Sequence, residues 1–450
     1  MKHEIDIMHI ADFAVQAALK GGADAADVVV THGSRLNLEI RSGEVENLRR
    51  ASGSGIGLRV SKDRRSTLVH STDLSKDAVT SLANMAIEMT SALREKTDAL
   101  PLADRVSVET LEHPDPDLGS ESLGDKITKL QHVESEMLSV KGVSRAYSVA
   151  WQEWTGDVVF ANSNGVRLRE PRSFIEIECE AMAEKNDEIH TGNCTVQSAS
   201  RSGLPDTSWI GKQAGKRAVQ LLGAKPIKST KAPVIFLPYT GWTVPVCLSV
   251  ALNGEHVTRG RSYLAGKIGD VIAGKNITIV DDPQLKGGTI QNSFDAEGTP
   301  TDELVLVENG VLKAYLTDLA AAKKLNVKPG GNARRDGYDQ SPEIRSSNMT
   351  LKPGTHSLED IIRNTERGLI VTVQSGWWVG LSPTSDTYSA AVMGLWVENG
   401  EIVHPVRGVS IGGTVTEMLR SIDMIGNDIM RTGPTAVPSF RVSEMAISGV

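Results

Sequence analysis

Within ten residues, 247–256, the stretch CLSVALNGEH brings together a thiol, a carboxylate and an imidazole: Cys247, Glu255 and His256. Those side chains hold zinc and activate water in many hydrolases. The spacing argues against a site here. No second histidine lies near Glu255-His256, the ten histidines include no pair at i, i+4, and no H-E-x-x-H occurs. Gly269–Asn276 (GDVIAGKN) nearly matches a phosphate-binding P-loop, but Asn276 stands where a magnesium-binding hydroxyl belongs. Gly408–Gly412 (GVSIG) matches G-x-S-x-G literally. A nucleophile elbow needs its serine at the strand-to-helix turn, whereas the helix cap expected here, Thr414-x-x-Glu417, falls four residues after Ser410. Gly53–Gly57 (GSGIG) lacks dinucleotide spacing and reads as a place where a strand is kept narrow against its neighbour. Trp377-Trp378 reads as core or interface packing. On residues alone there is no complete catalytic set.

The elements that would position these groups fall into three regions. In the first, 7–20 is an amphipathic helix with Ile7, Ile10, Ala11, Phe13, Ala14 and Ala17 on one face. Strand pairs turn at Ser42-Gly43 and Lys62-Asp63, and Ser75 caps a helix with an apolar stripe of Ala78, Val79, Leu82, Met85, Ala86 and Met89. Residues 97–118, rich in proline and acid, read as a linker. A helix near 121–139 then precedes a β meander with a type I′ turn expected at Asn164-Gly165, and a basic helix spans about 208–222. From about 232 the chain is strand-rich. It holds two Val-Glu-Asn-Gly hairpins, turning at Asn309-Gly310 and Asn399-Gly400, which read as parts of one sheet system.

The bulk numbers narrow the function classes. A chain of 450 residues with 40% hydrophobic content can bury two or three cores. A net charge of −8 argues against a dedicated nucleic-acid binder, and Arg49-Arg50 and Arg64-Arg65 sit beside turns as solvated charge. Three cysteines without C-x-x-C spacing (Cys179, Cys194, Cys247) fit a reducing compartment. The opening residues read as no secretory signal, and no run of about 18 apolar residues exists. The expectation is a cytoplasmic protein away from membranes.

Several stretches, taken in order, resemble one family. They are SGEVENL (42–48), FANSNGVRL (160–168), DAEGTPT (295–301), LVLVENGVLKAYLTDLAAAKKL (304–325), GNARRDGYDQSPEIRSSN (331–348), and WVENGEIVHPVRG followed by GND (396–408, 426–428). The chain resembles the TldD/PmbA metalloprotease-related family, in its PmbA (TldE) branch. The resemblance implies an α+β fold: an α/β N-terminal domain (1–108), a middle β-meander domain with helices (116–225) and a β-rich C-terminal domain (232–450). The other branch of the family carries a metal site, H-E-x-x-x-H plus a distal cysteine. Aligned through GRSYLAGKIGD (260–270), its two histidines and glutamate fall on Pro245, Val250 and Val246, and no cysteine follows Cys247. Thr384-Ser385-Asp386 also departs from the family's usual Thr-Gly-Asp.

For function, the resemblance implies a subunit with no catalytic or metal-binding residues of its own. Zinc would sit in a TldD-type partner, an unfolded peptide would be the substrate, and a homodimer would form where that partner is missing. Arg334, Arg335 and Arg345 are the candidates for lining the peptide chamber. The alternative reading is a regulatory or binding protein independent of the protease, in keeping with the family's gyrase-modulator label. A third reading is a hydrolase using Ser410 or Cys247.

Overall fold

The computed structural model describes residues 6–96 and 100–450. Helices and sheets are segregated rather than alternating, so the fold is α+β. The N-terminal half is built on a six-stranded antiparallel sheet of unusually long strands. They are β1 (Ala25–Arg41), β2 (Glu44–Lys62), β3 (Arg65–Ser71), β4 (Val143–Asn162), β5 (Arg167–Lys185) and β6 (Glu188–Ser198), in the order β3-β2-β1-β4-β5-β6. The sheet continues across the 97–118 segment, so the first two regions share one layer.

Period-two alternation along β1 gives the sheet its two faces. Val28, Val30, Leu36 and Leu38 are buried on one face beneath four helices. Helices α1 (Ile7–Lys20) and α2 (Lys76–Ala92) cover one half, while α3 (Leu123–Leu138) and α4 (Thr207–Val219) cover the other. Each helix starts on a side-chain cap: Asp6, Ser75, Ser122 and Asp206 accept from backbone N–H groups in their first turns. Between the two halves, Gly33 of β1 lies opposite Gly53 of β2 and Gly156 of β4. A Cβ at Gly33 would come within 2.7 Å of the Thr155 carbonyl oxygen, so the strands approach closely at this point. The Gly53–Gly57 run does something other than keep β2 narrow against its neighbour: a Cβ at Gly53 would meet nothing within 4 Å, and Gly55 and Gly57 lie under Tyr338 of a distant loop.

Several sequence expectations are corrected. The buried stripe of α2 is Val79, Leu82, Ala83, Ala86, Ile87 and Thr90; Met85 and Met89 face solvent. The small residues, not the methionines, meet the sheet. The β2–β3 turn is Asp63-Arg64, both with positive φ, one residue beyond Lys62-Asp63. At Asn164-Gly165 only the glycine has positive φ. Asn162 closes a longer loop there, its side chain accepting from the N–H of Asn164 and of Val166. The 97–118 stretch, outside 97–99, is pinned to the fold: Ala103 and Asp115 are buried, and Asp115 takes a bidentate pair from Arg201 at 2.7 and 2.8 Å.

The C-terminal half contains a sheet that closes on itself. Five of its six strands are β7 (Thr230–Phe236), β8 (Arg367–Ser375), β9 (Thr387–Glu398), β10 (Glu401–Thr414) and β11 (Phe440–Ser448), and the short strand Ile422–Ile425 pairs with β11. They run β10-β9-β8-β7-β11, and β11 returns to β10 through Ser410↔Ser448 to Gly412↔Ala446. A second sheet is made of shorter strands, including Ile279–Asp281, Leu304–Glu308 and Met349–Leu351. The two Asn-Gly hairpins have the expected positive φ at both turn residues, yet they lie in different sheets. A type I′ turn is a local preference and does not choose the sheet its arms join. Among the described residues no helix is long and apolar enough to cross a membrane.

Candidate functional site

Helix α5 (Thr243–Leu252) carries Pro245, Val246 and Val250, and it is apolar on nearly every side. Val244, Cys247, Leu248, Ala251 and Leu252 pack into the same core as the closed sheet. Pro245 is buried, and Val246 and Val250 are half-buried. None of these three side chains has a donor atom for a metal. Burial pushes the Cys247 thiol up to about 12, so it is no thiolate at neutral pH. The helix breaks at Asn253, whose side chain caps a new short turn by accepting from the N–H groups of Glu255 and His256. Glu255 points away into a 2.7 Å ion pair with Arg259. The thiol, carboxylate and imidazole of CLSVALNGEH therefore do not converge. Among the described residues no three His, Cys, Asp or Glu side chains gather so as to hold a metal ion. The donor set does not fit zinc.

The other motifs are equally structural. Ser410 lies mid-strand in β10, opposite Ala391 on one side and Ser448 on the other. His404 is six residues away along the same strand, about 20 Å at strand rise. The 269–276 stretch is loop and turn with no helix opening from it. In the altered Thr384-Ser385-Asp386 loop, Asp386 accepts from the backbone N–H of Val415 and of Thr416, which holds the start of the helix Val415–Arg420.

A second place does gather charged and aromatic groups. A cavity of about 680 Å³ lies between the uncovered face of the N-terminal sheet and two C-terminal loops, 292–296 and 333–338. The odd-numbered residues of β1 supply one wall: Val29, Thr31, Gly33, Arg35 and Asn37. The loops are two of the family-like stretches, and buried carboxylates organise both. Asp295 accepts from the N–H groups of Glu297, Thr299 and Ala333. Asp281 accepts from Ser347 and Asn348 at 2.7 and 2.9 Å. Tyr338 lies directly on β2, over Gly55 and Gly57.

Two of the three arginines singled out from the sequence line this cavity, Arg334 and Arg335. Arg345 is not in its lining; it pairs at 2.9 Å with Asp336, which is. Arg335 bonds Asp27 and the Ala296 carbonyl, at 3.3 and 3.1 Å, and Arg334 bonds the Ser347 hydroxyl. Burial pulls both guanidinium groups below their ordinary value, against Asp281 and Asp295 around the first and Asp27 beside the second. Arginine remains charged all the same. Sequence reasoning missed Arg35, Arg49 and Arg172, which line the same cavity. The alternation of β1 held the signal, since every second residue from Thr31 to Asn37 is polar or glycine.

Beside the cavity, Glu297 is buried against Arg59 at 3.3 Å and accepts from the Leu319 N–H. Burial raises its carboxyl to about 7, with Arg59 opposing and Asp295 adding to the rise. A folded-state value above the unfolded one means the native state binds the extra proton. This contribution to stability is full below about 4.5 and is lost as pH rises through about 7. Glu297→Gln is expected to flatten the pH dependence of unfolding over that window, by on the order of 1–3 kcal/mol. Urea melts from pH 4.5 to 8 would check it; identical slopes in both proteins would refute it.

Comparison with known proteins places this architecture. Residues 229–449 match the PmbA/TldA metallopeptidase C-terminal domain, 116–222 its central domain and 26–90 its domain 1. The chain is 28% identical to a protein named metalloprotease PmbA from Escherichia coli O157:H7, over 98% of this chain and 96% of that one. A Thermotoga maritima structure described as a candidate modulator of a DNA gyrase superposes with a TM-score of 0.87 at 24% identity, covering 98% of this chain and all of that one. TldE from Thermococcus kodakarensis superposes with a TM-score of 0.86 at 21% identity, over 98% of this chain and all of that one. With the three domain matches in chain order and a relative aligned nearly end to end, the chain belongs to the PmbA/TldD metallopeptidase family, in its PmbA (TldE) branch.

Proposed function

We propose that this chain is a subunit of a TldD-type metallopeptidase complex that contributes dimer surface and peptide-chamber wall rather than catalytic groups. The observation that supports the reading is helix α5, whose Pro245, Val246 and Val250, the residues aligned with the family's two histidines and glutamate in this reading, offer no metal ligand. Zinc and the general base would come from the partner. An unfolded peptide would be held between the subunits, its backbone available to β-rich surface. Arg334 and Arg335 belong to the chamber in this reading, with Arg345 at its edge.

Supporting a partner-covered surface, Trp378 and Val379 are 55% and 82% exposed. They adjoin Trp377, which packs edge-on against Trp242 at the start of α5, with ring centroids 5.3 Å apart. Contiguous apolar surface of this kind marks interaction sites. Light scattering is expected to report a dimer, and a heterodimer once a TldD-type chain is added, with peptidase activity only in the mixture. A monomer under both conditions would refute the subunit reading and leave the protease-independent one.

The donor set gives a second expectation. Elemental analysis of the untagged chain should find well below one zinc per chain after mild chelation. One tightly held zinc would require ligands that α5 does not contain.

A further inference from the structure

The cavity facing β1 has a charge and hydrogen-bond pattern that its own residues leave incomplete. Five arginines line it (Arg35, Arg49, Arg172, Arg334, Arg335) against two aspartates (Asp295, Asp336), in a chain of net charge −8. Arg334 is only 7% exposed, and its Nε and Nη1 have no hydrogen-bond partner among the described residues. The Nε and Nη1 of Arg335 are likewise buried and unpartnered. Four buried guanidinium nitrogens without acceptors are costly, because a buried donor left unsatisfied forfeits its hydration. Arg172 is not in the same state. It is held by Glu170 at 2.8 Å and by the Phe294 carbonyl, and its guanidinium stacks 4.9 Å from the Phe294 ring.

Two further features narrow the ligand. Asn37 Oδ1 is a buried acceptor on a residue lining the same cavity and has no donor among the described residues, which favours an occupant with a hydrogen-bond donor as well as an anion. The remaining walls are aromatic: Trp154, Phe160, Phe294 and Tyr338. A volume of about 680 Å³ suits a ligand of a few residues. We infer that this cavity binds the carboxylate end of a short peptide with an apolar last residue. The carboxylate would take the free N–H groups of Arg334 and Arg335, the peptide N–H would meet Asn37, and the side chain would lie among the rings. A carboxylate offers about four acceptor positions, enough to serve all four free nitrogens though not every N–H they carry. An inorganic oxyanion supplies no apolar body for the aromatic walls. The inference rests on the peptidase-subunit reading only for the source of such peptides, since binding itself needs no partner.

Calorimetry on the isolated full chain tests it, using a tripeptide ending in phenylalanine, the same peptide as its C-terminal amide, and inorganic phosphate. The free acid is expected to bind at least tenfold tighter than the amide, and phosphate to compete with it. Arg334→Gln and Arg335→Gln should each weaken the acid at least tenfold and leave the amide unchanged. Arg334 faces buried carboxylates, so a thermal melt accompanies that variant. Should it fail to fold, the exposed Arg35→Gln variant and the acid-to-amide ratio in the unaltered chain still decide. Equal affinity for acid and amide, no binding of the acid at millimolar concentration, or binding of phosphate alone would each overturn the assignment. Because no TldD-type chain is present, failure here is distinct from failure to form a complex.

Discussion

Lys126→Ala is expected to destabilise the chain by about 3–5 kcal/mol, the cost of removing one member of a buried ion pair. Lys126 lies on α3 with its side chain wholly inaccessible, and Glu153 on β4 is 3% exposed. The ammonium reaches both carboxylate oxygens, at 2.6 and 2.7 Å, and the Leu118 carbonyl at 3.2 Å. Glu153 also accepts from the Trp151 indole at 2.8 Å. Truncating the lysine leaves that carboxylate dry, with one neutral donor. Replacing both residues together, Lys126→Met with Glu153→Leu, should recover most of the loss, because no uncompensated charge remains. Urea denaturation of the two single variants and the double gives the coupling directly. A single-variant loss below about 1 kcal/mol would mean that water reaches the pair, as at a surface salt bridge.

That pair also marks where reading the sequence stops. The helix at 121–139 is legible from its cap and periodicity, but a lysine on it reads as a solvated charge. Nothing local says that Glu153, 27 residues later, meets it under the sheet. Turns and caps fare better because they depend on neighbouring residues. Ser42-Gly43, Asn309-Gly310 and Asn399-Gly400 all take positive φ, and Ser75 and Thr414 cap the helices they precede. At α5 the sequence gives residue types alone: Pro245, Val246 and Val250 carry no metal-ligand atoms. The cavity is only half legible. Arg334 and Arg335 stand out through the family-like stretch they sit in. Arg35 and Arg49 become part of the site only when a loop some 300 residues away folds onto β1 and β2. Arg345 shows the converse, since membership of the same stretch did not place it in the cavity.

The close approach of that loop can be tested by the smallest possible change. Gly57→Ala is expected to destabilise the chain by at least about 1–3 kcal/mol, the usual range for overpacking a tight contact. A Cβ at Gly57 would fall 1.7 Å from the Tyr338 carbonyl oxygen, which is backbone and cannot rotate aside. Gly57 cannot retreat either, because it is paired with Val29 on β1 and His70 on β3. The 335–340 segment would have to lift, taking Arg335 from Asp27 and opening one wall of the cavity. Gly55→Ala should cost less, since its Cβ would meet the Tyr338 ring, a side chain that can swing. Neither glycine has positive φ. On backbone grounds alone, then, both substitutions would stabilise the chain by about 0.4–1 kcal/mol through the unfolded state. The sign is therefore diagnostic: a Gly57→Ala protein as stable as the parent, with residues 335–340 no more open to protease, would mean that the loop does not rest on β2. Loss of stability together with new cleavage in that segment would place the cavity wall where Tyr338 puts it.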